Sequence, residues 1–340
     1  VQERLQRLED QVRSDKVMVA FVAEFSRGKS ELINAIFFAD YGRRIMPASA
    51  GRTTMCPTEL GYDANVAPSL RLLPIETRLQ MQSLAEWRVK SDRWHEIPLD
   101  VGNADQIAKA LEKVAEVRKV SLDNARALGF WHDDLTDENP VPDAQGMVEV
   151  PMWRHAIINI PHPLLKQGLV ILDTPGLNAV GAEPELTVNL IPQAHAVVFI
   201  LSADTGVTRS DLSIWREHLA ISPESVEARL VVLNKIDTLW DTLNTAEQVQ
   251  SQMERQCATS AEMLGVSLDR VVPVSAQKGL VAKITADDVL LETSGLPALE
   301  EALAKGIMGR RQSILRAAVV TGVASLRTET SRVINIRRRD

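Results

Sequence analysis

The sequence has few cysteines and no long apolar run, and each shortage excludes a class of protein. Cys56 and Cys257 are too few, among 340 residues, for a disulfide framework and are typical of a reducing cytoplasm. The longest apolar runs, 17–23 and 196–201, have the length of strands, whereas a membrane-spanning helix needs about 18–20 apolar residues. The histidines lack metal-ligand spacing, which argues against a zinc site. An ordinary globular protein is the remaining expectation.

Acidic residues outnumber basic ones, and the two signs are unevenly placed. The chain has 38 Lys and Arg against 45 Asp and Glu, a net charge of −7. Eight arginines and two acids lie in 310–340, so this segment carries +6 and the remainder carries −13. Because the main body is acidic, we expect no nucleic-acid partner. The chain opens on Val1 rather than Met, and we expect the numbering to start inside a longer protein.

Strand-like and helix-like segments alternate along most of the chain. Buried parallel strands are nearly continuous apolar runs, and the sequence predicts them at 17–23, 56–62, 156–160, 168–172, 196–201, 229–233 and 270–274. Predicted helices lie at 29–38, 184–191, 209–219, 245–264 and 297–307. The alternation predicts an α/β fold with a mostly parallel sheet flanked by helices.

The two ends and the middle of the chain depart from this alternation. Apolar residues recur at helical intervals near both ends, at Val1, Leu5, Leu8 and Val12 and again at Leu315, Val319, Leu326 and Val333. We expect amphipathic terminal helices at 1–15 and 309–340, paired as a small bundle beside a domain at 16–308. Proline, tryptophan and charge are frequent at about 64–152, where we expect a long insertion with a helix over 104–128 and an acidic loop over 131–146.

The first predicted strand runs into Ala23-Glu24-Phe25-Ser26-Arg27-Gly28-Lys29-Ser30, which is followed by a predicted helix. The phosphate-binding pattern G-x-x-x-x-G-K-[ST] occurs between a strand and a helix, and this segment matches it at Gly28, Lys29 and Ser30. Ala23 replaces the first glycine, a change of one methyl group. Backbone amides of such a loop hold phosphates, the lysine reaches the β and γ phosphates, and the hydroxyl binds Mg²⁺. The segment therefore predicts a nucleotide site.

A second motif, Asp173-Thr174-Pro175-Gly176, follows the predicted strand at 168–172. In phosphate-loop proteins an aspartate at this strand end holds Mg²⁺, usually through water, and the glycine amide senses the γ phosphate. Asp173 and Ser30 are therefore candidate metal residues, and Gly176 is a candidate phosphate contact.

Two further strand ends carry residues suited to reading guanine. The strand at 229–233 is followed by Asn234-Lys235-Ile236-Asp237, and the strand at 270–274 by Ser275-Ala276-Gln277-Lys278. The carboxylate of Asp237 can accept from the ring N–H and the amine of guanine, a donor pair that adenine lacks. Lys235 can lie on the base, Asn234 can brace the loop, and an amide of 275–278 can meet the guanine oxygen. The order of motifs favours GTP over ATP.

These motifs resemble those of the dynamin superfamily, in particular bacterial dynamin-like and mitofusin-like proteins. The resemblance rests on Ala23–Ser30 continuing as Glu31-Leu32-Ile33-Asn34-Ala35-Ile36, and on Ile45-Met46-Pro47 followed by 51–58. It covers about 15–310. It implies a GTPase domain over 16–308, and makes 309–340 the start of a truncated stalk.

The resemblance also implies roles for individual residues. Thr54 would be the switch threonine that contacts Mg²⁺ and the γ phosphate, with Thr53 as the alternative. Ser26 would lie beside the β–γ bridge, where dynamins place a catalytic serine and a monovalent cation. The nucleotide-contacting set would comprise Glu24, Phe25, Ser26, Arg27, Gly28, Lys29, Ser30, Glu31, Thr54, Asp173, Gly176, Asn234, Lys235, Asp237, Ser275, Ala276 and Gln277. GTP or GDP and Mg²⁺ are the implied cofactors, with K⁺ or Na⁺ as a further candidate.

Catalysis needs more than this set. Leu177 stands where small GTPases often use a glutamine to orient the attacking water, and leucine cannot do this. Candidate catalytic residues are Ser26, Lys29, Thr54 and Arg27. Arg27 could act on the transferring phosphate in cis or across a dimer. Alternatively, its guanidinium could point away from the phosphate, as that of a solvated or interface residue.

The function that the resemblance implies is a mechanochemical GTPase of membrane remodelling or tethering, activated when GTPase domains pair. Expected partners are a second copy, a different dynamin-like protein, and a membrane reached through parts outside this chain. The expected location is the cytoplasm, with peripheral attachment to the inner face of the cell membrane. An alternative is a GTP-dependent protein-binding switch with little hydrolysis, and another is a GTPase of ribosome or tRNA metabolism, which the acidic body disfavours.

Overall fold

The computed structural model describes residues 15–47, 56–80, 82–133, 139–174, 191, 194–219, 228–240 and 243–337. Its strands are β1 Val17–Ala23, β2 Thr58–Gly61, β3 Ser69–Pro74, β4 His95–Pro98, β5 Val117–Ser121, β6 Met147–Pro151, β7 Trp153–Asn159, β8 Leu169–Asp173, β9 Ala196–Ser202, β10 Arg229–Asn234 and β11 Val271–Pro273. Nine of them form one sheet in the order β11-β10-β9-β1-β8-β2-β7-β3-β4.

The α-helices lie on the faces of this sheet and at its ends. They are α1 Lys29–Ile33, α2 Leu84–Val89, α3 Ala104–Glu112, α4 Leu122–Ala127, α5 Pro163–Lys166, α6 Arg209–Ile214, α7 Ala246–Leu264, α8 Ala276–Thr285, α9 Asp288–Thr293, α10 Leu296–Glu301 and α11 Arg311–Arg337. Helices α1, α6 and α10 each continue into a π-helical turn, at Asn34–Phe38, Trp215–Leu219 and Ala302–Ile307.

The predicted fold is confirmed, because most neighbouring strands of the large sheet run parallel. Strand β1 pairs in parallel with β8 and with β9, and β9, β10 and β11 continue in parallel. Strand β2 is antiparallel to β8 and parallel to β7, and β3 is antiparallel to both β7 and β4. The parallel half has apolar residues on both faces, as buried parallel strands require.

Two apolar layers cover the two faces of the sheet. Val19 and Phe21 of β1 lie in one layer with Leu32 of α1, whereas the alternate residues Ala20 and Val22 lie in the other layer. The period of two along the strand sets this division. Helix and sheet thereby fix the loop that joins β1 to α1.

The region predicted as an insertion differs from the expectation in two respects. A single helix over 104–128 is wrong: α3 and α4 are separated by β5, which pairs antiparallel with β6. Leucine, alanine and charged residues suggest a helix locally, but pairing with a distant strand overrides that local preference. Strands β3 and β4 were also missed, and they extend the main sheet.

The C-terminal helix α11 begins beside the sheet. Its first residue, Arg311, donates to the carbonyl of Gln167 at 2.8 Å and pairs with Asp15 at 2.9 Å. Leu315 and Leu326 of the predicted apolar stripe are buried. The predicted partner helix at 1–15 lies almost wholly outside the described residues, so the bundle stays a prediction. Within the described ranges, no helix has the length and apolarity needed to cross a membrane.

Candidate nucleotide-binding site

The predicted motif residues meet at one edge of the parallel half of the sheet. Strands β1, β8 and β10 end at Ala23, Asp173 and Asn234, and parallel neighbours end on the same side. Open α/β sheets bind ligands outside these carboxyl ends. The fold therefore brings the phosphate, metal and base motifs of the sequence to one place.

The phosphate loop contains two residues in the left-handed backbone conformation. Ser26 and Gly28 have φ values of 66° and 83°. A Cβ atom on Gly28 would lie 2.5 Å from Asn234 Nδ2, so close approach and backbone angle both require glycine there. Ala23 is buried as the last residue of β1, which accommodates its methyl group. Such a loop before a helix N-terminus suits phosphate oxygens.

Lys29 and Asp173 are brought into direct contact. The ammonium of Lys29 donates to the carboxylate of Asp173 and to the carbonyl of Thr174. The Thr174 hydroxyl in turn donates to Phe21 O at 2.9 Å, which ties the end of β8 to β1. The side chains of Lys29 and Asp173 are 13% and 5% exposed, so both charges lie in a largely desolvated place.

Asn234 connects the phosphate loop to the guanine motifs. Its Nδ2 donates to the carbonyl of Arg27 at 2.8 Å, and its Oδ1 accepts from the amide of Ala276 at 3.0 Å. Beside it, Ser275 Oγ donates to Asp237 Oδ1 at 2.6 Å, which orients that carboxylate. Lys235 has a φ of 61° at the turn between them. One amide side chain thus braces three motifs.

Arg27 directs its guanidinium into the protein. The side chain is 8% exposed and pairs with the carboxylates of Glu24 at 2.5 Å and Asp211 at 2.9 Å. In this arrangement its charge is neutralised by carboxylates of the same chain. Of the two interpretations of Arg27, this geometry favours the one in which its head turns away from the phosphate.

The remaining predicted residues fall into three groups. Phe25, Ser26 and Gln277 are exposed, and Ser30 is half-buried at the first turn of α1. Glu31 accepts from the guanidinium of Arg44 at 2.6–3.0 Å, and this bond raises the pKa of Arg44. Thr53, Thr54, Gly176 and Leu177 lie outside the described residues, so their roles stay predictions.

Sequence reasoning assigned no site residue to the segment 202–211, which contacts both the phosphate and the base motifs. Ser202 Oγ donates to Asp204 Oδ1 at 2.5 Å, and Lys235 Nζ lies 3.4 Å from Asp204 Oδ2. Burial alone would raise the pKa of Asp204, but the Ser202 hydroxyl and the Lys235 ammonium hold it below its usual range. The signal available was Thr208-x-x-Asp211, a capping box before a helix.

The site fits a magnesium-bound nucleotide in its donor chemistry. Over the described parts of the chain, no three His, Cys, Asp or Glu side chains form a metal cluster. Magnesium beside phosphates usually takes one or two protein ligands, with water and phosphate oxygens as the others. Ser30 and Asp173 carry oxygens of that kind and Lys29 carries a cation, so the residues present fit the group, and their individual roles stay predictions.

The comparisons with known proteins agree with this geometry. The model of the dynamin family matches residues 19–236, more than half of the chain. Dynamin-like protein A of Bacillus subtilis is 25% identical over 309 residues, which cover 83% of this chain and 23% of that protein. The probable transmembrane GTPase FZO-like, chloroplastic, of Arabidopsis thaliana is 30% identical over 127 residues, 37% of this chain and 13% of that protein. This chain therefore spans less than a quarter of either relative.

A solved structure shows the same fold. It is described as an oligomerised bacterial dynamin pair that provides a mechanism for the long-range sensing and tethering of membranes. It superimposes with a TM-score of 0.53 and 16% identity, covering 99% of this chain and 46% of that one. Motifs, fold and family match agree: this chain belongs to the dynamin family.

Proposed function

We propose that the chain is the GTP-binding and GTP-hydrolysing domain of a dynamin-like large GTPase. The proposal rests on two hydrogen bonds of the Asn234 side chain, which donates to Arg27 O and accepts from Ala276 N. A phosphate loop and a guanine motif that are tied by one side chain form a single site. Family membership supports the same reaction.

Guanine selectivity would come from Asp237. Ser275 already holds one carboxylate oxygen of Asp237, so the group is oriented before a base arrives. Adenine offers no matching pair of donors and would leave the carboxylate poorly satisfied, which is costly in a partly buried place. GTP is therefore the proposed substrate and GDP the product.

Lys29 would hold the β and γ phosphates once its ammonium exchanges the Asp173 carboxylate for phosphate oxygens. Ser30 and Asp173, together with Thr54, would hold Mg²⁺. When bound, the metal neutralises charge that develops on the phosphates during water attack. Ser26, exposed on the loop, would contact K⁺ or Na⁺ as the resemblance implies.

Activation by pairing of two GTPase domains is part of the proposal. Arg27 is engaged by Glu24 and Asp211, so this chain does not direct that guanidinium outward to a phosphate. Phe25 is 43% exposed beside Ser26, a large apolar side chain on the rim of the site. A second copy placed against this rim could exclude water and complete the site. Membrane tethering, named for the bacterial dynamin pair, would be the use of this cycle, at the cytoplasmic face of a membrane.

The experiment is GTP turnover per subunit as a function of protein concentration, with Mg²⁺ and either K⁺ or Na⁺. Specific activity that rises with concentration supports activation by pairing. Flat, near-zero turnover with tight GTP binding would contradict it and favour the alternative, a GTP-dependent binding switch. The alternative is supported by the ion pair of Arg27 with Asp211, because this pair holds the guanidinium away from the phosphate.

A further inference from the structure

The four hydrogen-bond acceptors around Arg27 come from two parts of the chain. Glu24 belongs to the phosphate loop itself, whereas the others belong to the segment after β9. The Nη1 atom donates to Thr205 Oγ1 at 2.8 Å, and the Nη2 atom donates to Glu24 Oε2 at 2.5 Å, Asp211 Oδ2 at 2.9 Å and Thr208 Oγ1 at 3.3 Å. The guanidinium therefore joins the loop to residues 178–184 positions away along the chain.

Asp211 is held from its own side as well. It is fully buried, and its Oδ2 accepts from Thr208 N at 2.9 Å and Thr208 Oγ1 at 2.8 Å in the capping box of α6. A carboxylate fixed by a helix start cannot follow a moving loop. A planar guanidinium, with several donors in a fixed fork, is suited to such a joint.

The same segment touches the base side of the site. Ala203 N donates to Asn234 O at 2.8 Å, and Asp204 lies 3.4 Å from the ammonium of Lys235. The segment 202–211 thus contacts the phosphate loop through Arg27 and the guanine motif through Asp204. It therefore contacts both halves of the nucleotide site.

We propose that Asp211 is a positioning residue for nucleotide binding, and that its ion pair with Arg27 holds the phosphate loop in its binding conformation before any nucleotide is present. The proposal rests on the proposed function, since it concerns the same site. Ser26, next to Arg27, has a left-handed conformation, which is unfavourable for a residue other than glycine unless the surrounding structure holds it. When the loop is ordered before the nucleotide binds, binding loses less conformational entropy, and the affinity is higher.

Removing either partner has a different consequence. Without the Asp211 carboxylate, the phosphate loop loses its ion pair to α6, but the guanidinium of Arg27 still pairs with Glu24. Without Arg27, Glu24 and Asp211 are left as two carboxylates that share the Thr208 hydroxyl beside a site for anionic phosphates. We therefore expect Arg27→Ala to weaken nucleotide binding more than Asp211→Asn, and the double variant to bind better than the two single losses combined.

The test measures affinity and turnover separately for Asp211→Asn, Arg27→Ala, Arg27→Lys and the Arg27→Ala/Asp211→Asn double variant. The control is Arg126→Ala, which breaks two exposed ion pairs, one with Asp123 and one with Asp133. We expect Asp211→Asn to weaken Mg²⁺-GTP and Mg²⁺-GDP equally, by about tenfold, with kcat at saturating GTP within about threefold of the parent. Arg27→Lys keeps the charge but not the fork, and we expect an intermediate loss that identifies geometry as the cause.

The alternatives give different results. One outcome is that Arg27→Ala lowers kcat over a hundredfold but binds GTP and GDP as the parent does, and that Asp211→Asn has the parent's affinities and kcat. Arg27 is then catalytic and the proposal is overturned. If the variants lose thermal stability without nucleotide but bind as tightly as the parent, the pair is structural only and the proposal fails while GTP binding stands. If the parent chain binds neither nucleotide, the proposed function itself fails, and the positioning role fails with it.

Discussion

The two halves of the large sheet differ in what their strand ends carry. In the parallel half, the ends of β8 and β10 contact the loop and helix that follow β1: Lys29 donates to Asp173, and Asn234 donates to the carbonyl of Arg27. The other half comprises β2, β7, β3 and β4 and is called the added half. There His95 of β4 packs edge-on against Trp153 of β7, and Glu59 of β2 pairs with His155 of β7 and with Arg88 of α2. The comparison indicates that the binding chemistry lies at the strand ends of the parallel half, whereas the contacts of the added half contribute to stability, as face packing does throughout the sheet.

The largest expected effect comes from a destabilising substitution in the added half, which tests whether nucleotide affinity depends on that half. Trp87 on α2 is 1% exposed, and Trp94 Nε1 donates to its carbonyl at 2.8 Å. We expect Trp87→Ala to lower the free energy of unfolding by about 3–5 kcal/mol through lost burial and a cavity. Chemical unfolding gives the stability, and titration with GDP under native conditions should give an unchanged affinity. A matching loss of affinity would show that the two halves are not separable.

The converse change is in the parallel half. Lys29→Ala removes a charge that would bind two phosphate groups, and each charged hydrogen bond is worth about 1.5–3 kcal/mol. We expect an affinity loss for GTP of about a hundredfold, equivalent to about 2.7 kcal/mol. Titration calorimetry measures it, with Lys305→Ala as control because that lysine is 79% exposed and pairs with Glu301 on the surface. An unchanged affinity would remove Lys29 from the site.

A third prediction concerns Asp237 and the selectivity of the site for the base of the nucleotide. Asp237→Asn replaces two acceptor oxygens by one acceptor and one donor, so guanine loses a partner while xanthine, which has a carbonyl in place of the amine, gains one. We expect GTP affinity to fall by about tenfold and xanthosine triphosphate affinity to rise above that of the parent. Competition binding with the two nucleotides tests this. Parallel losses for both would mean that Asp237 supports the loop without reading the base.

The smallest expected effect is a pH dependence in the added half. Glu59 is buried, and its carboxylate contacts Arg88 and lies 3.0 Å from His155 Nε2. Burial alone would raise the pKa of Glu59, but Arg88 and His155 outweigh it and hold this pKa far below its usual range. The ion pair therefore stabilises the fold fully above the ordinary carboxyl pKa of about 4.3. That contribution is lost as the pH falls toward the lower folded-state value.

Glu59→Gln should flatten the acid side of the stability profile. We expect the parent to lose stability between pH 5 and pH 3 more steeply than the variant, by about 1 kcal/mol over that range. Unfolding at a series of pH values measures the difference. Identical slopes would show that Glu59 has the same pKa in the folded and unfolded chains.

The sequence predicted the parallel half better than the added half, for a physical reason. The strands at 17–23 and 229–233 are apolar except for Arg229 at the start of the second, and their motifs follow directly after the strand ends. Strand β5 has a mixed composition and is stabilised by pairing with β6, which no local pattern reveals. Side-chain direction was equally hidden: nothing at Arg27 itself shows that Asp211 lies within 2.9 Å.

The central claim is that a guanine nucleotide binds at the carboxyl edge of the parallel strands. The most direct measurement is competition of GTP and ATP against GDP with a fluorescent ribose label, in Mg²⁺, on the unmodified chain. The account predicts displacement by GTP at concentrations at least about a hundredfold below those needed of ATP. Equal displacement by ATP and GTP, or no binding of the labelled GDP, would contradict it.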